Sequence, residues 1–326
     1  MKKVISIIIC AVMALGVFTA CSGNKSINTD SGKLKIITTI FPEYDWVRNI
    51  TGDKADITML LDNGVDLHSY QPTADDIIKI STCDVFVYVG GESDSWVKDT
   101  LKEAVNKDMV VLNLLDLLGE NAKEEEEKEG MQAEEEEHEE EGVEEEGPEY
   151  DEHVWLSLRN AAVLCQKISD AICEKDAANA DFYKSNTTAY IEKLNGLDSQ
   201  YKDAVSAAKQ KTILFGDRFP FRYLTDDYGL DYYAAFVGCS AETEASFETI
   251  MFLARKVDEL GLTSIMQIET SDGSIAETIK KNTKTGDQKI LTIDSLQSVT
   301  AKDVESGSTY LSVMEKNLEV LKDALK

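Results

Sequence analysis

Residues 124–146 hold fifteen glutamates and one lysine. No fold can bury such a run, because a carboxylate taken out of water without a partner costs far more than its contacts return. The stretch therefore reads as a solvated loop around which the ordered chain divides. It carries about half of the formal net charge of −28. Directly behind it comes Tyr150-Asp-Glu-His153-Val-Trp-Leu-Ser-Leu158, with one of only three histidines in the chain. A histidine there, beside an apolar run, reads either as a metal ligand or as an ordinary surface imidazole.

On both sides of the tract, short β-branched runs alternate with helical segments. Before it, strands are expected at Lys33–Ile40, Asp56–Leu61, Val85–Val89 and Met109–Leu112. Helices are expected at Pro42–Ile50, from Thr73 onward, and over Asp94–Asn106. Val85-Phe-Val-Tyr-Val89 is apolar without a break, as in a strand covered on both faces. After the tract, Leu158–Glu174 reads as helix. Ala178–Lys209 contains no proline and a single glycine, which suits one long helix. A second series follows, with strands near Thr212–Phe215, Tyr232–Phe236, Ser264–Ile268 and Ile290–Asp294. Its helices lie near Phe221–Tyr228, Phe247–Leu260 and Ser274–Thr283, and Tyr310–Leu325 closes the chain as an amphipathic helix. Such alternation implies parallel βαβ units. With some 300 residues to arrange, the expected fold class is α/β, with two similar halves joined by a helix.

Lys2 and Lys3, the apolar Val4–Phe18 and Phe18-Thr-Ala-Cys21 match a secretory leader with a lipoprotein cleavage site. The expected organisation is a signal peptide over 1–20 and a lipid anchor on Cys21. A polar tether follows over 21–32, then an N-terminal α/β lobe over 33–177 with its acidic loop at 121–150. A linking helix covers 178–209 and a C-terminal α/β lobe 210–326. The acidity and the lack of any Lys/Arg cluster exclude nucleic acid as a partner and suit the attraction of cations. Cys83, Cys165, Cys173 and Cys239 form no Cys-x-x-Cys pair, so neither a thiolate cage nor a redox motif is expected.

Leu67-His68-Ser-Tyr-Gln-Pro-Thr73 resembles the first ligand loop of the zinc- and manganese-binding solute-binding lipoproteins of ABC importers, where Pro-His-Ser-Tyr-Glu-Pro-Thr is usual. Asp151-Glu-His153-Val-Trp-Leu-Ser157 resembles their second ligand segment, and Thr309–Leu321 their last helix. An acid- or histidine-rich insertion before the second ligand is also a trait of the zinc members. The resemblance runs from Lys33 to Lys326. It implies two α/β lobes with parallel sheets joined by one long rigid helix, with the metal in the inter-lobe cleft.

The resemblance makes His68 and His153 ligands from the first lobe. Imidazole suits Zn²⁺ and also accepts other divalent ions. The usual third ligand lies in a segment resembling His-Asp-Ala-Phe-Gly-Tyr. Here that segment is Phe215-Gly-Asp217-Arg-Phe-Pro-Phe-Arg-Tyr223, without histidine. Asp217 is the nearest metal-binding residue there, with pairing to Arg218 or Arg222 as its alternative. Asp294 fits the fourth position, and Glu269 is a second acid on a neighbouring strand end; either could instead be a cap or turn acid. His138, inside the tract, is a weak cation collector or part of a plain solvated charge run. Cys239 reads as a buried free thiol, with a soft ligand as the alternative.

The implied function is a receptor that captures Zn²⁺, alternatively Mn²⁺, and hands it to an ABC permease and its ATPase. It would be a monomer, lipid-anchored through Cys21 at the extracytoplasmic face of a bacterial membrane, and perform no chemistry. A metallohydrolase would need motifs that are missing, such as His-Glu-x-x-His or Gly-x-Ser-x-Gly. A surface adhesin or scaffold on the same fold is the third reading.

Overall fold

The computed structural model describes residues 32–132, 149–240 and 244–326. Cys21 and His138 lie outside these residues.

Four strands of the first half, β1 (Leu34–Thr38), β2 (Ala55–Met59), β3 (Val85–Tyr88) and β4 (Val110–Asn113), form one sheet in the order β2-β1-β3-β4. Every pairing is parallel. Val85, Phe86 and Val87 are wholly buried, so the apolar run of β3 is covered on both faces. Helix Phe41–Thr51 follows β1, with Pro42 in its first turn, where no N–H is needed. The carboxylate of Glu43 turns back on that helix start. It accepts from the backbone N–H of Thr39 at 2.8 Å and of Ile40 at 3.3 Å.

The helix expected over Asp94–Asn106 is shorter, Val97–Lys102. The N–H groups of Val105 and Asn106 both donate to the Ser81 carbonyl and so leave the helical ladder. Likewise the expected strand near Tyr232–Phe236 is two, β7 (Asp231–Tyr233) and β8 (Phe236–Val237), broken where Ala235 donates to the Asp217 carbonyl.

In the second half β5 (Thr212–Leu214) pairs with β7, and β6 (Arg218–Phe219) with β8. The remaining pair is β9 (Ser264–Ile268) with β10 (Lys289–Ile293); all three pairings are parallel. A parallel bridge from Phe215 to Met266 links the β5 strand end to β9. Helices Arg222–Tyr228 and Phe247–Leu260 each end on a glycine in the left-handed region, Gly229 and Gly261.

The 28-residue helix Ala180–Ala207 packs on Leu158–Lys175, Phe41–Thr51 and the last helix, Tyr310–Ala324. That last helix also touches β9 and β10. One large apolar core therefore runs from β1 and β3 through these helices to Ile268 and Ile293. A smaller core beneath Phe247–Leu260 includes Leu214, Phe236, Leu253 and Ile265. Polar ties cross the large core. The Tyr310 hydroxyl donates to the Trp155 carbonyl at 2.6 Å, and the Tyr201 hydroxyl to that of Met314 at 2.6 Å.

The acidic tract does not leave the fold at once. Glu125 N–H donates to the Glu149 carbonyl at 2.9 Å and Asp151 N–H to that of Lys123 at 2.8 Å, which makes a two-stranded neck. Beyond the neck the chain lies along the second half. Gln132 N–H donates to the Ala235 carbonyl, and Lys128 sits 4.4 Å above the Tyr232 ring. Backbone bonding and that apolar shelf hold residues 124–132, although their composition alone argues for a free loop.

Candidate metal centre

His68 lies in the helical turn Leu67–Ser69, which follows β2. Asp66 initiates that turn, accepting the His68 N–H at 3.0 Å. His153 precedes a second turn, Val154–Leu156, at the foot of the neck. Asp151 repeats the device: its Oδ1 accepts the His153 N–H at 2.9 Å and faces the ring Nδ1 at 3.0 Å.

These two turns bring the imidazoles together, with His68 Nε2 and His153 Nε2 3.2 Å apart. Nitrogens bound at ~2.0–2.1 Å to one tetrahedral zinc stand about 3.3–3.4 Å apart, so the pair is already at ligand spacing. The outer nitrogens are occupied. A carboxylate only accepts, so His153 Nδ1 carries a proton toward Asp151, and Nε2 is the nitrogen turned to His68. His68 Nδ1 meets Ser93 Oγ at 2.8 Å and Glu152 Oε2 at 3.6 Å, two groups able to accept its proton. Burial first, and His153 next, push the His68 imidazole down to about 3, so it is neutral near pH 7. Neutral imidazoles oriented by outer-shell acceptors are the form that binds metal.

The third member of the group is Cys239, just past β8. Among the described residues, His68, His153 and Cys239 form a potential metal-binding group, their ligand atoms all within 4.8 Å of one another. Gly238 makes this approach feasible. A Cβ there would stand 2.9 Å from the Phe219 carbonyl oxygen and 3.0 Å from His153 Cε1. The Cys239 N–H donates to Glu125 Oε1 at 3.1 Å, so the neck reaches the site as well. Burial, then Asp151 and Glu125, hold the thiol well above its ordinary range. A cavity of ≈ 540 Å³ opens beside His68 and Cys239, and Glu92, Glu125, Glu149 and Glu152 line it. Such a lining favours cations.

Asp294, Glu269 and Asp217 do not join this group. Glu269 accepts from Ser295 N at 2.7 Å, Ser295 Oγ at 2.8 Å and Ser298 Oγ at 3.0 Å. Asp217 accepts the N–H groups of Arg218 at 2.9 Å and Ile268 at 3.1 Å. Asp294 accepts from Leu296 N at 2.8 Å, and burial, with Glu269 next, pushes it up to about 6. These acids hold strand ends together. The Arg218 guanidinium pairs with Asp66 rather than with Asp217, and so lies beside the imidazoles. Arg222 reaches toward Glu126 at 3.8 Å.

Sequence reasoning left Glu152, Ser93 and Glu125 out of the site. Only the position of Glu152 directly before His153 hinted at its role; Ser93 and Glu125 carry no local signal.

Residues 36–324 match the family described as zinc-uptake complex component A, periplasmic. The zinc-binding lipoprotein AdcA of Streptococcus pneumoniae serotype 4 is 33% identical over 323 residues, 99% of this chain and 61% of AdcA. The chain thus spans about three-fifths of the length of that relative. The high-affinity zinc uptake system protein ZnuA of Bacillus subtilis is 30% identical over 321 residues, 96% of each chain. The solved Zn(II)-bound ZnuA-like domain of Streptococcus pneumoniae AdcA superposes with a TM-score of 0.70 at 30% identity, over 90% of this chain and 99% of that one.

Proposed function

The chain belongs to the zinc-uptake complex component A family, and from that premise we propose that it captures Zn²⁺ between His68 and His153 and delivers it to an ABC permease. The family is one of solute-binding components, not enzymes. The cation is cargo, held and released unchanged. The observation that carries this reading is the pair of Nε2 atoms 3.2 Å apart, each backed by an acceptor at the other ring nitrogen. Zinc is also what the names of the relatives AdcA and ZnuA state for those proteins.

In this reading the lobes are residues 33–177 and 210–326, bridged by the long helix. Cys21 carries the lipid that keeps the receptor at the outer face of the membrane. Asp294, Glu269 and Asp217 brace the strand ends of the second half. The test is calorimetric titration of Zn²⁺ into the metal-stripped protein. The wild type takes up one ion tightly, and the His68→Ala/His153→Ala double variant does not. Unchanged tight binding in that variant overturns the proposal.

A further inference from the structure

We infer that the cargo site is a mixed imidazole–thiolate site, in which Cys239 Sγ supplies the third donor beside His68 Nε2 and His153 Nε2. The inference rests on the proposed function and adds the chemical class of the cargo: a thiophilic ion with a filled d shell, Zn²⁺ or Cd²⁺, in preference to Mn²⁺.

Four observations carry it. The three donor atoms lie within 4.8 Å of one another. Bonds of ~2.0–2.1 Å from nitrogen and ~2.3 Å from sulfur require closer approach, and a shift of about 1 Å supplies it. Gly238 leaves no Cβ between the Cys239 loop and the His153 ring, which lets the loop pass this close to the imidazole. Two of the acids that the resemblance offered as ligands are engaged elsewhere: Glu269 and Asp217 spend both oxygens on backbone and serine donors of the strand ends. Finally, Glu152 is 2% exposed, its Oε2 has no hydrogen-bond partner, and that oxygen faces His68 Nδ1 at 3.6 Å. A buried carboxylate oxygen left open toward a ligating imidazole is what an outer-shell acceptor looks like before the cation arrives. Once His68 Nε2 binds metal, its ring proton must sit on Nδ1, where Glu152 and Ser93 receive it.

The charges agree. Imidazole donors contribute no negative charge, and Arg218 sits beside them, bonded to Asp66 and 3.5 Å from the Ser240 carbonyl. A thiolate restores an anionic donor at the cation. On binding, the Cys239 S–H bond breaks, the sulfur keeps the electron pair and donates it to the metal, and the proton passes to solvent. Manganese prefers oxygen ligands, and this set offers none in its first three places.

The experiment compares the full chain with Cys239→Ser, Cys239→Asp and His68→Ala, using Zn²⁺, Co²⁺ and Mn²⁺ salts alone as probes. Removing a ligand costs at least what removing an orienting partner costs, so Cys239→Ser should bind Zn²⁺ about 10–100-fold more weakly or worse. The Co²⁺-loaded wild type should show a sulfur-to-cobalt charge-transfer band that Cys239→Ser lacks. X-ray absorption of the Zn²⁺ form should resolve one sulfur scatterer at about 2.3 Å beside the nitrogens. Cys239→Asp should recover part of the affinity and narrow the preference for Zn²⁺ over Mn²⁺. If Cys239→Ser keeps wild-type affinity and no sulfur scatterer appears while His68→Ala abolishes binding, the thiolate inference falls and the zinc-receptor reading stands. If His68→Ala also binds normally, the receptor reading itself falls.

Discussion

The indole N–H of Trp155 donates to the carbonyl oxygen of Ser295, 2.8 Å away across 140 residues of chain. Trp155 is two residues from His153, and Ser295 follows Asp294 at the end of β10. The turn that presents an imidazole is therefore bonded directly to the strand end of the opposite half. Tyr310 adds a second tie, its hydroxyl on the Trp155 carbonyl and its backbone N–H on Asp45 Oδ2 at 3.1 Å. His153 is held before any cation arrives.

That arrangement makes Tyr310→Phe informative. The variant keeps the buried ring and its edge contact with Trp46 but strips the Trp155 carbonyl of its donor. A buried acceptor left alone costs about 1–3 kcal/mol. Urea unfolding should show that loss, with Zn²⁺ affinity only slightly reduced. An unchanged midpoint would mean that water replaces the hydroxyl.

Asp151→Asn tests orientation at the metal. The carboxylate receives both the backbone N–H and the ring N–H of His153. An amide can accept only through its oxygen, so the ring loses its charged acceptor. Zn²⁺ affinity, measured against a chelating dye, should fall about 10–100-fold with circular dichroism unchanged.

Gly238→Ala should damage the site by crowding. The added methyl meets a backbone carbonyl at 2.9 Å, which cannot swing away, and the His153 ring at 3.0 Å. Overpacking of this kind costs about 1–3 kcal/mol. Thermal melts should drop, and Zn²⁺ affinity with them. A variant that binds as tightly as wild type would show that the Cys239 loop can retreat without consequence.

Asp94 predicts a pH dependence of stability. The residue is 3% exposed; its Oδ2 accepts the Gly90 N–H at 3.0 Å, and Oδ1 has no partner. Burial pushes its carboxyl up to about 7, with Glu152 adding to the rise and the Gly90 N–H opposing it. The unfolded chain titrates this group near pH ~3.9. Between those values the folded state binds the extra proton, so this group's contribution to stability falls as pH rises toward 7 and levels off above it. Asp94→Asn removes the titration. Its melting temperature should vary less than wild type between mildly acid and mildly alkaline pH, with the larger relative gain on the alkaline side. Parallel wild-type and variant profiles would contradict this.

Much of the architecture was legible because it rests on short-range pattern. The unbroken apolar run of β3 announced a strand buried on both faces, and the glycine-poor stretch after Ala178 announced the long helix. His68 and His153 were legible because each sits in a short contiguous segment, Leu67–Thr73 or Asp151–Ser157, that resembles a ligand loop of the family. The remaining parts of the site depend on distant pairing. Cys239 reaches the imidazoles only because β6 pairs with β8 and Gly238 has no side chain. The acids at Asp294, Glu269 and Asp217 sit at strand ends, as the alternation of elements suggests. Whether their oxygens are free depends on Ser295, Ser298 and the Ile268 N–H, which no local pattern reveals. The tract shows the opposite limit: composition described its solvation but not the Ala235 carbonyl and the Tyr232 ring that hold residues 124–132.

The neck formed by Lys123 with Asp151 and by Glu125 with Glu149 seals the fold before the chain departs and after it returns. Glu125 of that neck also accepts the Cys239 N–H, so a displacement of the tract's flanks is passed to the loop that carries the thiol.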